Sequence, residues 1–174
     1  MEKARDLLRK KGLAAASKRA SRTASEGQVG AYIHPGAKVG VLVEVNCETD
    51  FVARTDEFQE MVHNVAMHIA AACPLAVTRD EVDGSLVEKE KEIYRAQAVA
   101  QGKPANVVDR IAEGKVKEYY STFCLLEQTF VKDPKLTVGQ LVQEKIAVIK
   151  ENIVIRRFSR YRLGEESGTK AATE

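Results

Sequence analysis

A chain of 174 residues with 44% apolar and 30% charged side chains is long enough to bury a real core, as one compact domain with or without a small subdomain. Its 27 basic and 25 acidic residues leave a formal charge of +2, too little to suggest a general polyanion binder. The three cysteines, Cys47, Cys73 and Cys124, are odd in number, far apart and without a CxxC pair, which argues against both a disulfide framework and a zinc site, and reduced thiols are expected.

From about Lys3 to Lys11, Ala4, Leu7 and Leu8 fall at helical spacing, and Gly12 is a natural stop. Ala14 to Ala24, with Lys18, Arg19 and Arg22 among alanines, reads as a basic linker or solvated helix, so residues 1–26 form a separate leading segment. At Ala31-Tyr32-Ile33 the period becomes two. The turn signal Pro35-Gly36 follows, and Val39, Val41, Val43 and Val45 alternate with other residues, predicting a β-hairpin. After Asp50 the pattern is helical again: Phe58, Met61, Val62, Val65 and Ile69 make one stripe, Thr55-Asp56-Glu57 suits its N-terminus, and Pro74 bounds it.

Ser85-Leu86-Val87-Glu88 has the form of a capping box and predicts a helix to about Ala100. Gly102-Lys103-Pro104 separates it from a second helix carrying Val108, Ile111, Ala112 and Tyr119, giving a helical hairpin over about 85–120. Thr137-Val138-Gly139-Gln140 is spaced as another capping box, ahead of Leu141, Val142 and Ile149. Ile153 to Leu163, rich in β-branched and aromatic residues, predicts a last strand that pairs with the early hairpin. The fold class is therefore α+β, with a small antiparallel sheet of about three strands packed with helices, plus the helical hairpin. Residues 27–163 are the expected core, and Gly164 to Glu174 a flexible tail.

A search for chemistry returns little. Gly164-Glu165-Glu166-Ser167-Gly168-Thr169-Lys170 has the wrong order and spacing for a phosphate loop. His63 and His68 are five apart, not the four that would place two ligands on one helix face, so ordinary surface or core-edge roles are expected and no metal. No serine or cysteine nucleophile stands in a recognisable motif, and no cofactor is called for, so the chain is read as not an enzyme. His34, beside the Pro35-Gly36 turn, is either a plain turn residue or a contact residue. Strict alternation along the last strand puts Arg157 with Ile153, Ile155 and Tyr161 on one face and Arg156, Phe158, Arg160 and Arg162 on the other. Those arginines and the Lys18-Arg19 segment leave an alternative open: an RNA-binding or ribosome-associated module. From the residues alone, Thr49-Asp50 is a helix cap and Phe51 a core residue. No apolar stretch is long enough to span a bilayer and the start leads into no signal core, so a cytosolic or organellar protein is expected.

Glu44-Val45-Asn46-Cys47-Glu48-Thr49-Asp50-Phe51-Val52-Ala53-Arg54 closely resembles the signature segment of the translation elongation factor Ts family. Tyr32-Ile33-His34, Ala66-Met67-His68-Ile69-Ala70-Ala71, Gly102-Lys103-Pro104 and Gln128-Thr129-Phe130-Val131-Lys132 resemble further family segments, in family order, between Lys3 and Leu163. The length resembles the short form of the family, and the chain starts in what looks like the last helix of the small ubiquitin-associated-like domain that usually precedes the core. The resemblance implies a guanine nucleotide exchange factor whose partner is the GTPase elongation factor Tu, with Thr49, Asp50, Phe51, Val52 and His34 as partner-binding residues. It implies that Phe51 enters an apolar gap and disturbs the partner's Mg²⁺ and phosphate site. It leaves a homodimer open, involves no membrane and no direct nucleic acid, and implies the bacterial cytoplasm, or the mitochondrial matrix or chloroplast stroma for an organelle protein.

Overall fold

In the computed structural model, which describes residues 16–165, two strands, a run of helices and a last strand form an α+β fold around one three-stranded antiparallel sheet. The sheet is built from β1 (Glu26–Ile33), β2 (Val39–Cys47) and β3 (Ile153–Arg162), in the order β1-β2-β3. The hairpin turn between β1 and β2 carries Gly36 at φ 90° and Ala37 at φ 53°, which closes the two strands in register from Ile33 opposite Gly40 to Glu26 opposite Cys47. Period two then does what the sequence predicts. Val41, Val43, Val45 and Cys47 are buried on one face of the central strand.

Between β2 and β3 the chain forms α1 (Asp50–Ala53), α2 (Asp56–Ala72), the pair α3 (Gly84–Ala100) and α4 (Ala105–Phe123), and α5 (Val138–Ile149). Helix α2 lies across the sheet, and its stripe of Phe58, Met61, Val62, Val65 and Ile69 forms the core with the β2 valines, Ile153 and Ile155. Its start is the expected one, since the Thr55 side chain caps it by accepting the Phe58 amide at 3.4 Å. The Thr137–Gln140 capping box opens α5 with both reciprocal bonds present. Helices α3 and α4 pack on each other through Ala98, Val108 and Ala112.

Three expectations need correction. The cap of α3 is Asp83, whose carboxylate accepts the Ser85 amide at 2.8 Å, so the helix starts before the box expected at Ser85. A carboxylate at this position accepts an orphan amide and also meets the positive end of the helix dipole. Strict alternation also fails in β3. Val45 pairs with Ile155 but Glu44 with Arg157, so Arg156 is an extra residue in a β-bulge, and every later side chain changes face. Phe158 and Arg160 thus join Ile153 and Ile155 on the core side, where Arg160 Nε donates to the Ala70 carbonyl at 3.5 Å, while Arg157 points outward to an ion pair with Glu44 at 2.7 Å. Finally, His68 is not at a core edge but fully buried. The helix predicted over Lys3 to Lys11 lies outside the described residues; of the Ala14 to Ala24 segment, residues 16–19 are helical.

The buried histidine holds two parts of the chain together. His68 Nδ1 accepts the Val131 amide at 3.3 Å, and Nε2 meets Gln128 Oε1 at 3.0 Å. Nδ1 therefore carries the lone pair, Nε2 the proton, and the ring is neutral. The Gln128 amide in turn donates to the carbonyls of Ala72 and Thr122 at 3.2 and 2.7 Å, joining the end of α2 to the end of α4. Burial pushes the His68 pKa below its ordinary 6.5, with the Gln128 bond partly opposing the shift. A base with a depressed folded pKa gives stability that is present above the unfolded value and declines as pH falls below it, because the unfolded chain takes up the proton first. Urea unfolding followed from pH 7.5 downward is expected to show stability falling from about pH 6.5, and His68→Gln to flatten that slope while lowering stability at pH 7.5.

Candidate functional site

The element that carries the sequence signature is a corner between the central strand and helix α2. β2 ends at Cys47, and the buried Cys47 thiol donates to the Thr49 carbonyl at 3.1 Å. Burial raises the Cys47 pKa first, with the nearby Glu151 carboxylate adding to the rise, so this group is a thiol rather than a reactive thiolate. Thr49 has extended backbone, and its hydroxyl oxygen accepts the Val52 amide at 3.4 Å, making it the N-cap of α1. The cap expected from the residue types is present. The same hydroxyl donates to Glu151 Oε1 at 2.7 Å, so it is engaged at both ends within the protein.

Asp50 opens α1 and accepts from Arg54 Nη2 at 2.7 Å, an i,i+4 pair on the solvent side. Val52 is half-buried and packs against the core, and Ala53 is buried beneath it. The next corner is closed by the Thr55 hydroxyl, which donates to the Val52 carbonyl at 2.8 Å and caps α2. Phe51 is the residue this arrangement exposes. Its side chain is 78% accessible, which overturns its reading as a core residue. A four-residue helix held by a threonine at each end thus displays one aromatic ring to solvent.

His34 does not join this group. It lies past the other end of β2, roughly 25 Å away at 3.3 Å per residue. There the His34 Nδ1 and the Tyr32 hydroxyl are hydrogen-bonded at 3.0 Å, and both line an open cavity of about 510 Å³ together with Met67, Cys73, Arg160 and Arg162. Thr49, Asp50, Phe51 and Val52 are contiguous and form one surface; His34 forms another. Sequence reasoning did not single out Glu151 or Asn152, because nothing local marks them: Glu151 meets Thr49 across 102 residues of chain.

A family model described as elongation factor TS matches residues 3–165. The elongation factor Ts of Geotalea daltonii is 63% identical over 164 residues, covering 94% of this chain and 76% of that protein. That of Caldanaerobacter subterraneus subsp. tengcongensis is 58% identical, over 95% of this chain and 82% of the relative, and that of Solibacter usitatus 52% identical, over 97% and 79%. The chain belongs to the elongation factor Ts family.

For a member of the elongation factor Ts family, the arginine-rich last strand can be weighed against a nucleic-acid surface. Its arginines do not share one face: Arg157 is paired with Glu44 on the outer side, and Arg160, with its side chain 11% exposed, lies on the core side and pairs with Glu165 at 2.9 Å. That division removes the continuous basic stripe that single-strand binding uses. Among the described residues no group of three or more His, Cys, Asp or Glu side chains is placed to hold a metal ion, and no helix is long and apolar enough to cross a membrane.

The exposure of Phe51 fixes what its removal does to the fold. Phe51→Ala is expected to shift the melting temperature by no more than about 2 °C, since an exposed side chain away from a network contributes within about 0.5 kcal/mol. Phe58→Ala, deep in the core, is expected to cost about 3 to 5 kcal/mol. Thermal melts of the two variants side by side check the contrast.

Proposed function

We propose that this chain is a guanine nucleotide exchange factor for elongation factor Tu in translation elongation, binding the GDP form and promoting GDP release without covalent chemistry. The observation that carries this reading is the solvent-exposed Phe51 on a capped, core-backed turn in a chain of the elongation factor Ts family. In the proposed mechanism the Phe51 ring enters an apolar gap of the GTPase, Asp50 exchanges Arg54 for a partner donor, and the Mg²⁺ and phosphate site beyond is disturbed. Thr49 and Val52 act mainly from beneath, one through its hydroxyl and the other through its core contacts.

The physics is linkage. A protein that binds the nucleotide-free GTPase more tightly than the GDP form must weaken GDP by the same factor, so the action needs a differential contact and no acid, base or nucleophile. An aromatic side chain docking in a partner pocket is a typical source of such a contact. His34, exposed at the opposite end of the sheet, serves in this reading as a separate second contact. The bacterial relatives favour a cytoplasmic setting for the exchange.

Release of fluorescent GDP from elongation factor Tu tests the proposal. Substoichiometric wild-type chain is expected to accelerate release. Phe51→Ala is expected to lose roughly thirtyfold or more, the equivalent of about 2 kcal/mol of hot-spot contact, while keeping its melting temperature. A wild-type chain that neither binds the GTPase nor alters its GDP off-rate would exclude the function.

We also propose that the chain self-associates through the outer face of the sheet. Val29, Ile33, Leu42 and Tyr161 stand exposed there on neighbouring strands around the Glu44–Arg157 pair, apolar side chains on one face of the kind that interfaces between copies use. Light scattering on the eluting protein should give twice the monomer mass for the wild type and the monomer mass for Leu42→Lys. Monomer mass for both at high micromolar concentration would rule the dimer out.

A further inference from the structure

Four backbone and side-chain hydrogen bonds join the corner before Phe51 to the corner between α5 and β3. Glu151 occupies that second corner, just after Lys150 turns the chain through a left-handed conformation at φ 67°. Its Oε2 accepts the amides of Glu48 and Thr49 at 3.1 and 3.0 Å, and its Oε1 accepts the Thr49 hydroxyl at 2.7 Å. The exchange is reciprocal, because Glu48 Oε1 accepts the Asn152 amide at 2.6 Å. The buried Asn152 side chain then donates to the carbonyls of Ala20 and Arg22 at 3.4 and 2.7 Å, and Arg22 pairs with Glu48 at 3.5 Å.

Bonds of this kind to a carboxylate are short and strong, and here both oxygens of Glu151 are directed at two consecutive residues. Helix α1 has four residues, far fewer than a helix needs to stand on its own, so its orientation has to come from outside. Thr55 supplies it at one end. At the other, among the described residues, the charged side chain bonded to the Thr49 amide and hydroxyl is Glu151. Phe51 follows two residues later.

We propose that Glu151 is a positioning residue for nucleotide exchange: its carboxylate, bonded to Glu48 and Thr49, holds the α1 turn so that the Phe51 ring is presented to the GTPase already in its docking orientation. This rests on the exchange function proposed above and adds the residue that sets its geometry. Contacts made by a preformed element avoid the ordering cost that a loose loop incurs on docking.

The test compares Glu151→Ala, Glu151→Gln, Phe51→Ala and Gln140→Ala in the full chain, by GDP release from elongation factor Tu and by amide hydrogen exchange. Gln140→Ala breaks the capping box at the far end of α5 and so controls for a general loss of stability. Glu151→Ala is expected to lower the maximal release rate at saturating factor by roughly tenfold or more, and to speed exchange of the Glu48 and Thr49 amides. Glu151→Gln, which keeps one accepting oxygen, should recover part of both, and Gln140→Ala should keep the wild-type maximal rate. The proposal is overturned if Glu151→Ala exchanges at the wild-type rate while Phe51→Ala does not, if Gln140→Ala loses as much as Glu151→Ala, or if the two amides keep their protection without Glu151. Failure of the wild type itself to release GDP would remove the exchange function and the role of Glu151 in it. The amide protection would still report whether the clamp exists, so the two failures are told apart.

Discussion

Everything in this fold depends on how closely α2 approaches the sheet, and Gly30 sets that distance. A Cβ at position 30 would lie 2.3 Å from Val62 Cγ1, so only a hydrogen there lets the helix settle at its present depth. At that depth Phe58, Met61, Val65 and Ile69 reach the β2 valines and the core closes. The same depth governs the displayed turn. β2 is the central strand and feeds through α1 directly into α2, which lies back across the same sheet. Residues 48–55 therefore cross the end of the sheet at a height fixed by the strand on one side and the helix on the other. A larger residue at position 30 would collide with Val62 and force the strand or the helix to give way.

Local signals in the sequence revealed most of the architecture, and the failures share a cause. The β2 alternation, the α2 stripe, the Thr55 cap and the Thr137–Gln140 box are each encoded within a few residues, so period and cap chemistry were enough to find them. The bulge at Arg156 is not encoded in β3 alone. It depends on how β3 registers against Glu44 and Val45, and one extra residue there reversed the facing of Phe158, Arg157 and Arg160. Nothing local marks His68 for burial, because its partners, Gln128 and Val131, lie some sixty residues on. At the signature turn, the capping role of Thr49 is legible in its residue type and the exposure of Phe51 is not, since phenylalanine is among the residue types most often buried. Glu151 had no signal at all.

The turn combines two kinds of polar contact with different consequences. At its base, Glu151 and Glu48 each accept backbone amides from the other's segment, in a partly buried setting where leaving any of those donors unpaired is costly. At its tip, Asp50 and Arg54 pair in the open, with side chains 46% and 75% exposed. An exposed i,i+4 pair contributes about 0.3 to 0.5 kcal/mol and is screened by salt, so it yields to a competing partner at little cost. The tip is therefore exchangeable while the base is fixed.

That division matters because linkage rewards only the difference between two bound states. A contact made equally with the nucleotide-bound and nucleotide-free partner tightens binding and leaves GDP affinity unchanged. A loose turn would fit its ring to either partner state, dividing its contact between them after an ordering cost of about 1 to 2 kcal/mol per fixed residue. In the proposed mechanism a ring held at one height and angle would discriminate, fitting a partner conformation whose gap is open and clashing with one whose gap is closed. The proposed exchange activity thus asks for two properties in the same few residues: an aromatic side chain left out of the core, and a backbone with almost no freedom beneath it. Phe51 is the first. For the second, the structure offers the strand before it, the capped helix after it, and the proposed clamp of the Glu151 carboxylate, which bonds the Thr49 hydroxyl from the other end of the sequence.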